Sequence, residues 1–299
     1  MRGLSAPFNK SLKMPLPEWV KTQLKEIKKT QNFFKKHKLN TVCETLRCPN
    51  RTICYKQPTA TFMIMGEVCT RGCKFCNAEK GYPEPLDNSE PEKIAIAVKE
   101  MSLKYVVITS PTRDDLIDGG AKHFAKTVET IKKLNPDTLV EVLVPDFQGN
   151  KTSIETILNS GVAVFAHNIE TVKKFYGSVR KAVYIRSLNI LKTAKEINSE
   201  IITKSGFMLG LGENIEEVYN ILKDLKNVEC DIVTIGQYLQ PSKKALPVVE
   251  YIKPAVFEKI AEKAVQIGFK AVVSGPLIRS STKAYESYLA VKEERYGKL

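Results

Sequence analysis

Histidine is scarce in this chain. Its 299 residues hold three, at His37, His123 and His167. Zinc fingers built on paired histidines are therefore excluded, and neither an RNP motif nor a helix-turn-helix is present. No apolar run reaches the roughly 18–20 residues that a membrane-spanning helix needs. The N-terminus is basic and mixed, without an apolar core and small-residue cleavage site, so no secretory signal is expected. The run Gly210-Leu211-Gly212-Glu213 lacks the G-x-G-x-x-G spacing of a nucleotide-binding loop and reads as a turn. These absences point to a reducing cytoplasm, with neither membrane nor nucleic acid as partner. Clustered cysteines there act as metal or redox ligands rather than disulfides.

Acidic residues are also in short supply. The net charge is +13, and the excess lies at the front. Residues 1–40 hold ten Lys and Arg against Glu18 and Glu26, so ten minus two gives a local +8. Such a segment either attracts an acidic partner or is a solvated tail.

What is present is a rhythm. After a helical pattern over 17–38 and an irregular stretch over 41–58, short apolar strands recur at 59–65, 104–110, 138–145, 162–168, 201–209 and 231–239. Helical patterns fall between most of them, at 91–102, 120–134, 151–159, 187–197, 214–226 and 254–267. Strand alternating with helix predicts parallel βαβ units, and six units predict an α/β fold, an open partial (β/α)6 barrel of TIM type. Residues 270–275 are a further edge strand or a link, and a charged helix ends the chain. Three parts follow: an N-terminal extension over 1–58, a barrel over 59–275 and a C-terminal tail over 276–299. In parallel barrels the chemistry sits at the C-terminal ends of the strands.

Just after the first strand come Cys69-x3-Cys73-x2-Cys76. A closed zinc site or a fully ligated cluster needs four thiolates, and a disulfide needs two. Three leave one position of an iron–sulfur cubane open. The competing readings are a zinc site completed by a distant ligand, or buried cysteines. Upstream stands a second incomplete set, Cys43-x4-Cys48-x5-Cys54. Two structural zinc sites would need eight ligands, and the chain has seven cysteines. The seventh, Cys230, opens a predicted strand and reads as a buried apolar residue.

The first triplet resembles that of the radical S-adenosylmethionine (SAM) superfamily, whose usual fold is the partial barrel. The resemblance implies that the open iron binds SAM and that Phe75 lies beside its adenine. The two triplets together, with VVITSPTRDDLIDGGA, EVLVPDFQG, TKSGFMLGLGE, TIGQYLQPS and GPLIRSS, closely resemble the lipoyl synthase family over residues 40–285. In that family a serine near the C-terminus completes the second cluster. The matching run here is Arg279-Ser280-Ser281-Thr282, and the resemblance points to Ser281. Residue chemistry alone does not separate Ser280 from Ser281. Thr282, Lys283 and Ala245 depart from the family's usual tyrosine, histidine and histidine.

The resemblance implies two four-iron clusters and SAM as cofactors. The substrate would be an octanoyl chain on a lysine of a lipoyl carrier domain or H protein. A deoxyadenosyl radical would take hydrogen at C6 and then C8, and the second cluster would give up sulfur to each carbon. Unactivated methylene C–H bonds have no acidic proton, so acid–base chemistry is excluded. A ferredoxin or flavodoxin would supply electrons to a monomeric, cytoplasmic enzyme. Thr109, Asn168, Glu170, Lys204 and Gln237 are candidates to cradle SAM, and each equally fits a barrel-rim salt bridge. Arg279 would tie the tail to the barrel or orient the acyl-lysine.

Overall fold

The computed structural model describes Phe34, residues 39–45, Cys48, Asn50 and residues 59–297. The helix expected over 17–38 lies outside these apart from Phe34, and Cys54 lies outside them too. A single helical turn spans Val42–Thr45.

Seven strands form one sheet: β1 (Thr59–Met63), β4 (Tyr105–Thr109), β5 (Leu139–Leu143), β6 (Val164–Ala166), β7 (Ile202–Leu209), β8 (Ile232–Gln237) and β9 (Ala271–Gly275). They are hydrogen-bonded in that order, and every pair is parallel. The expected 270–275 strand is thus a true edge strand, paired with β8. Two short strands, β2 (Val68–Cys69) and β3 (Glu79–Lys80), form a separate parallel pair. The strands read as near-continuous apolar runs because parallel strands are covered on both faces. All five residues of β4 are buried.

Six helices cover the outer face: α1 (Glu90–Glu100), α2 (Ala121–Leu134), α3 (Lys151–Leu158), α4 (Tyr184–Ile197), α5 (Ile215–Asn227) and α6 (Pro254–Ile267). Their ends carry the expected signals. Asn214 and Glu217 form a capping box at α5. Pro254 opens α6, and Gly268 closes it in the left-handed region. The main core joins the outward-facing residues of the strands, such as Val106, Ile108, Val140 and Val142, to these helices.

The inner face is covered by the last helix, α7 (Ala284–Tyr296). Ala284, Tyr288 and Val291, spaced four and three residues apart, share one side of it. They pack on Tyr105, Val107, Val164, Ile202 and Ile232. Burying a side chain the size of Val291 contributes about 1.5–3 kcal/mol. The inner face also holds an ion pair. Lys204 Nζ lies 2.9 Å and 3.0 Å from the two oxygens of Glu141, and Tyr105 donates its hydroxyl to Glu141 at 2.7 Å. The far end of α7 is tied down where Arg295 meets Asp231 at 3.0 Å, beside Lys195 at 2.7 Å.

Candidate active site

The chain leaves β1 through Met65 and Gly66, both at positive φ (66° and 83°). Glu90 fixes this turn. Its carboxylate accepts the Met65 backbone N–H at 2.9 Å and bonds His123 Nε2 at 2.7 Å. The cysteine loop then stands on the β2–β3 ladder, where Cys69 pairs with Lys80. Each sulfur of the triplet accepts one backbone N–H: Arg71 to Cys69 at 3.4 Å, Lys181 to Cys73 at 3.3 Å and Ala78 to Cys76 at 3.4 Å. N–H groups aimed at sulfur stabilise thiolate ligands and tune the metal they hold. Burial pushes the Cys73 thiol up and the Cys76 thiol up to about 11. Thiols so placed become thiolates on binding metal rather than in free form. Among the described residues no three His, Cys, Asp or Glu side chains close around one metal ion. A cubane makes no such demand, since each cysteine takes its own iron. Three thiols on one loop, each accepting a backbone N–H, fit such a cluster.

These cysteines line a cavity of about 540 Å³ at the C-terminal ends of the strands. Cys43 and Cys48 line the same cavity, as do Ser280 and Ser281. Residues separated by more than 200 positions in sequence thus meet in one space. The tail is held there by several contacts. Pro276 O accepts from Gln237 N at 3.3 Å, and Leu277 O accepts from Asn50 Nδ2 at 2.5 Å. Arg279 donates to Gln237 O at 3.2 Å, and its guanidinium hydrogen-bonds Cys48. Thr282 Oγ1 accepts from Arg279 N at 2.9 Å and closes a turn around the two serines. The hydroxyl, absent at that place in a tyrosine, makes Thr282 part of the latch. Gly236 is required where the tail crosses β8, because a Cβ there would lie 2.1 Å from Ile278 O.

The expected SAM contacts divide. Phe75, Thr109, Asn168, Glu170 and Gln237 line the cavity. Asn168 and Glu170 keep polar capacity toward it: Asn168 Oδ1 is buried without a partner, while its Nδ2 donates to Glu170 at 3.1 Å. Burial pushes the Glu170 carboxyl up. Thr109 spends its hydroxyl on Leu143 O at 2.8 Å. Gln237 acts as a staple, donating to Tyr238 O and Glu250 O at 3.0 Å each and accepting from Ile252 N at 2.9 Å. Lys204 does not line the cavity. Its ammonium is held by Glu141 on the inner face of the sheet, which corrects its expected place beside SAM.

Other polar residues of the cavity lie outside the set expected to cradle SAM. Arg71, between Cys69 and Cys73, forks onto Asp114 at 2.6 Å and 2.7 Å and reaches Asp146 at 2.6 Å. Burial alone would raise the Asp146 carboxyl, but Arg71 holds it down at about 2. Burial, then the charge of Arg180, push the His167 imidazole down to about 4. His167 is thus neutral near pH 7, its Nδ1 against Val144 O at 2.8 Å and its Nε2 near Arg180 at 3.3 Å. Arg180 lies 3.9 Å from Glu170 and keeps a buried Nε without a partner. An arginine between two cysteines, and an aspartate just past a strand, were the available signals.

The Radical SAM superfamily profile matches residues 63–225. The chain is 52% identical over 271 residues to the lipoyl synthase of Caldanaerobacter subterraneus subsp. tengcongensis, covering 90% of this chain and 95% of that one. It is 52% identical over 270 residues to the lipoyl synthase of Aquifex aeolicus, covering 90% and 97%. The chain belongs to the lipoyl synthase family. It is accordingly a radical SAM, sulfur-inserting enzyme with a four-iron cluster, SAM and a lipoyl carrier protein as substrate. Among solved structures, methylornithine synthase (PylB) superposes with a TM-score of 0.57 at 14% identity, over 80% of this chain and 69% of that one. The hydrogenase maturase HydG of Carboxydothermus hydrogenoformans gives 0.56 at 12% identity, over 90% and 78%. At such identities the likeness shows the fold alone. No helix among the described residues is long and apolar enough to cross a membrane.

Proposed function

We propose that this chain places sulfur at C6 and C8 of an octanoyl chain amide-linked to a lysine of its carrier protein. Cys69, Cys73 and Cys76 hold the first cluster, which with bound SAM supplies a hydrogen-abstracting organic radical. Cys43, Cys48, Cys54 and Ser281 hold a second four-iron cluster, which is the sulfur substrate and is consumed. The extension over 1–58 brings its cysteines, the barrel over 59–275 the radical chemistry, and the tail over 276–299 the serine.

One observation carries this reading: Cys43, Cys48 and the Ser280–Ser281 pair line the same cavity as the first triplet. A serine oxygen is a harder ligand than thiolate and suits iron–sulfide less well. A weak ligand fits a cluster that must be dismantled. Asn168, Glu170 and Arg180 have the spare donors and acceptors to hold SAM, with Phe75 beside them. No general base is needed for hydrogen abstraction, and Asp146 is locked onto Arg71. The electron donor in this reading is a ferredoxin or flavodoxin, and the enzyme works as a cytoplasmic monomer.

The test is anaerobic purification followed by iron and sulfide assay, then turnover with an octanoyl-lysyl peptide and SAM. About eight irons per chain are expected, four for each cluster, together with mass gain from two sulfur atoms in the product. Zinc without sulfide, or a product without sulfur, would overturn the reading.

A further inference from the structure

The loops around the cavity mouth divide sharply by charge. Those following β6 and β8, residues 173–186 and 240–253, hold eight basic residues against one acid, Glu250. Those following β1 and β4, residues 64–89 and 110–120, hold four against seven acids. Both basic loops are tied to the cysteine loop at Lys74. Lys74 donates its backbone N–H to Val179 O at 2.9 Å and accepts at its carbonyl from Leu246 N at 3.0 Å. Lys173, Lys243 and Lys244 on this rim are exposed, and none forms an ion pair among the described residues. Val249 and Tyr251 stand 66% and 71% exposed among them. Exposed aromatic and aliphatic side chains within a polar, solvent-accessible border suit a protein-docking surface, and the lysines give that border its charge.

We propose that the β6–β8 side of the cavity mouth docks an acidic carrier domain, so that its acyl-lysine enters over Lys181 and Ala182, which line the cavity. The inference rests on the proposed function, since it is the reason a folded protein must approach this mouth. The acidic loops after β1 and β4 repel the same partner and set which way round it sits. Opposite charges bring the partner in faster and orient it, and salt weakens both effects. Nothing in this arrangement selects the octanoyl chain, so a short acyl-peptide escapes it.

The test compares the full chain with the triple variant Lys173→Glu, Lys243→Glu, Lys244→Glu. A control triple, Lys99→Glu, Lys126→Glu, Lys133→Glu, makes the same change of net charge on α1 and α2. Two substrates are used, an octanoylated lipoyl domain of net negative charge and an octanoyl-lysyl peptide. Binding of the domain is also read directly by interferometry. The rim triple is expected to weaken binding and raise KM for the domain by about tenfold at low salt, shrinking toward twofold at high salt. It leaves the peptide's KM and kcat unchanged, and the control triple leaves both substrates unchanged. Equal loss in the two triples, or unimpaired binding in the rim triple, would overturn the docking proposal. Failure of the unaltered chain to convert either substrate counts against the proposed function, while the binding arm still decides the docking.

Discussion

Asn50 donates its side-chain amide to the carbonyl of Leu277, 227 positions further along the chain. This contact joins the extension that carries Cys43 and Cys48 to the tail that carries Ser280 and Ser281. Both segments lie against the cavity, and neither belongs to the barrel.

Asn50→Ala should therefore act on the proposed second cluster and not the first. One hydrogen bond of this kind is worth about 1 kcal/mol net, or roughly fivefold in an equilibrium. The expected result is a several-fold drop in sulfur insertion per SAM cleaved, with 5′-deoxyadenosine release kept. Equal loss of both would place Asn50 in the barrel's stability instead.

Gly236→Ala tests the tail crossing more severely. The new methyl would collide with Ile278 O, whose backbone cannot give way as a flexible side chain could. Tail and latch must lift from β8. Quantified iron should fall toward one cluster per chain, and SAM cleavage should survive. Two intact clusters in this variant would contradict the described tail path.

Lys204→Met addresses the inner face. It leaves Glu141 buried without its cation, a loss of about 3–5 kcal/mol for such a pair. Chemical denaturation should show that destabilisation, and Glu141→Leu added to it should recover part of the loss. SAM affinity of the folded variant should stay within about twofold, because Lys204 lies outside the cavity. A tenfold weaker SAM affinity would restore Lys204 to the site.

His167 makes stability fall with acid. Its folded pKa, about 4, lies below the ordinary 6.5. Between those values the unfolded chain binds a proton that the folded chain does not. Stability is therefore full above about pH 6.5, falls as the pH drops, and has lost this contribution, about 3 kcal/mol by linkage, near pH 4. Asp146, held at about 2, adds a further loss as pH falls from about 4 toward 2. Denaturant midpoints at pH 7.5 and 5 should differ less in His167→Asn than in the unaltered chain. An equal difference would assign the acid sensitivity elsewhere.

Much of this architecture is legible in the residues. Strand and helix positions follow from apolar runs and their spacing, because parallel strands buried on both faces leave an unmistakable pattern. The close Cys69, Cys73 and Cys76 spacing is legible for the same local reason. What escapes is what depends on distant segments meeting. The charged residues of α7 conceal that Ala284, Tyr288 and Val291 fill the inner face. Lys204 and Gln237 look alike in sequence as polar residues of strands. Only packing shows that one answers Glu141 and the other staples the loop around Glu250. The Arg71–Asp114–Asp146 network joins three separate loops, so no window of sequence contains it.

The central claim is that a tail serine completes a second cluster that supplies sulfur inside the cavity of the first. The most direct measurement is anaerobic turnover of octanoylated lipoyl domain by Ser281→Ala, with sulfur read by mass and 5′-deoxyadenosine read in parallel. The account predicts continued deoxyadenosine release with no sulfur in the product. Sulfur insertion at the rate of the unaltered chain would contradict it.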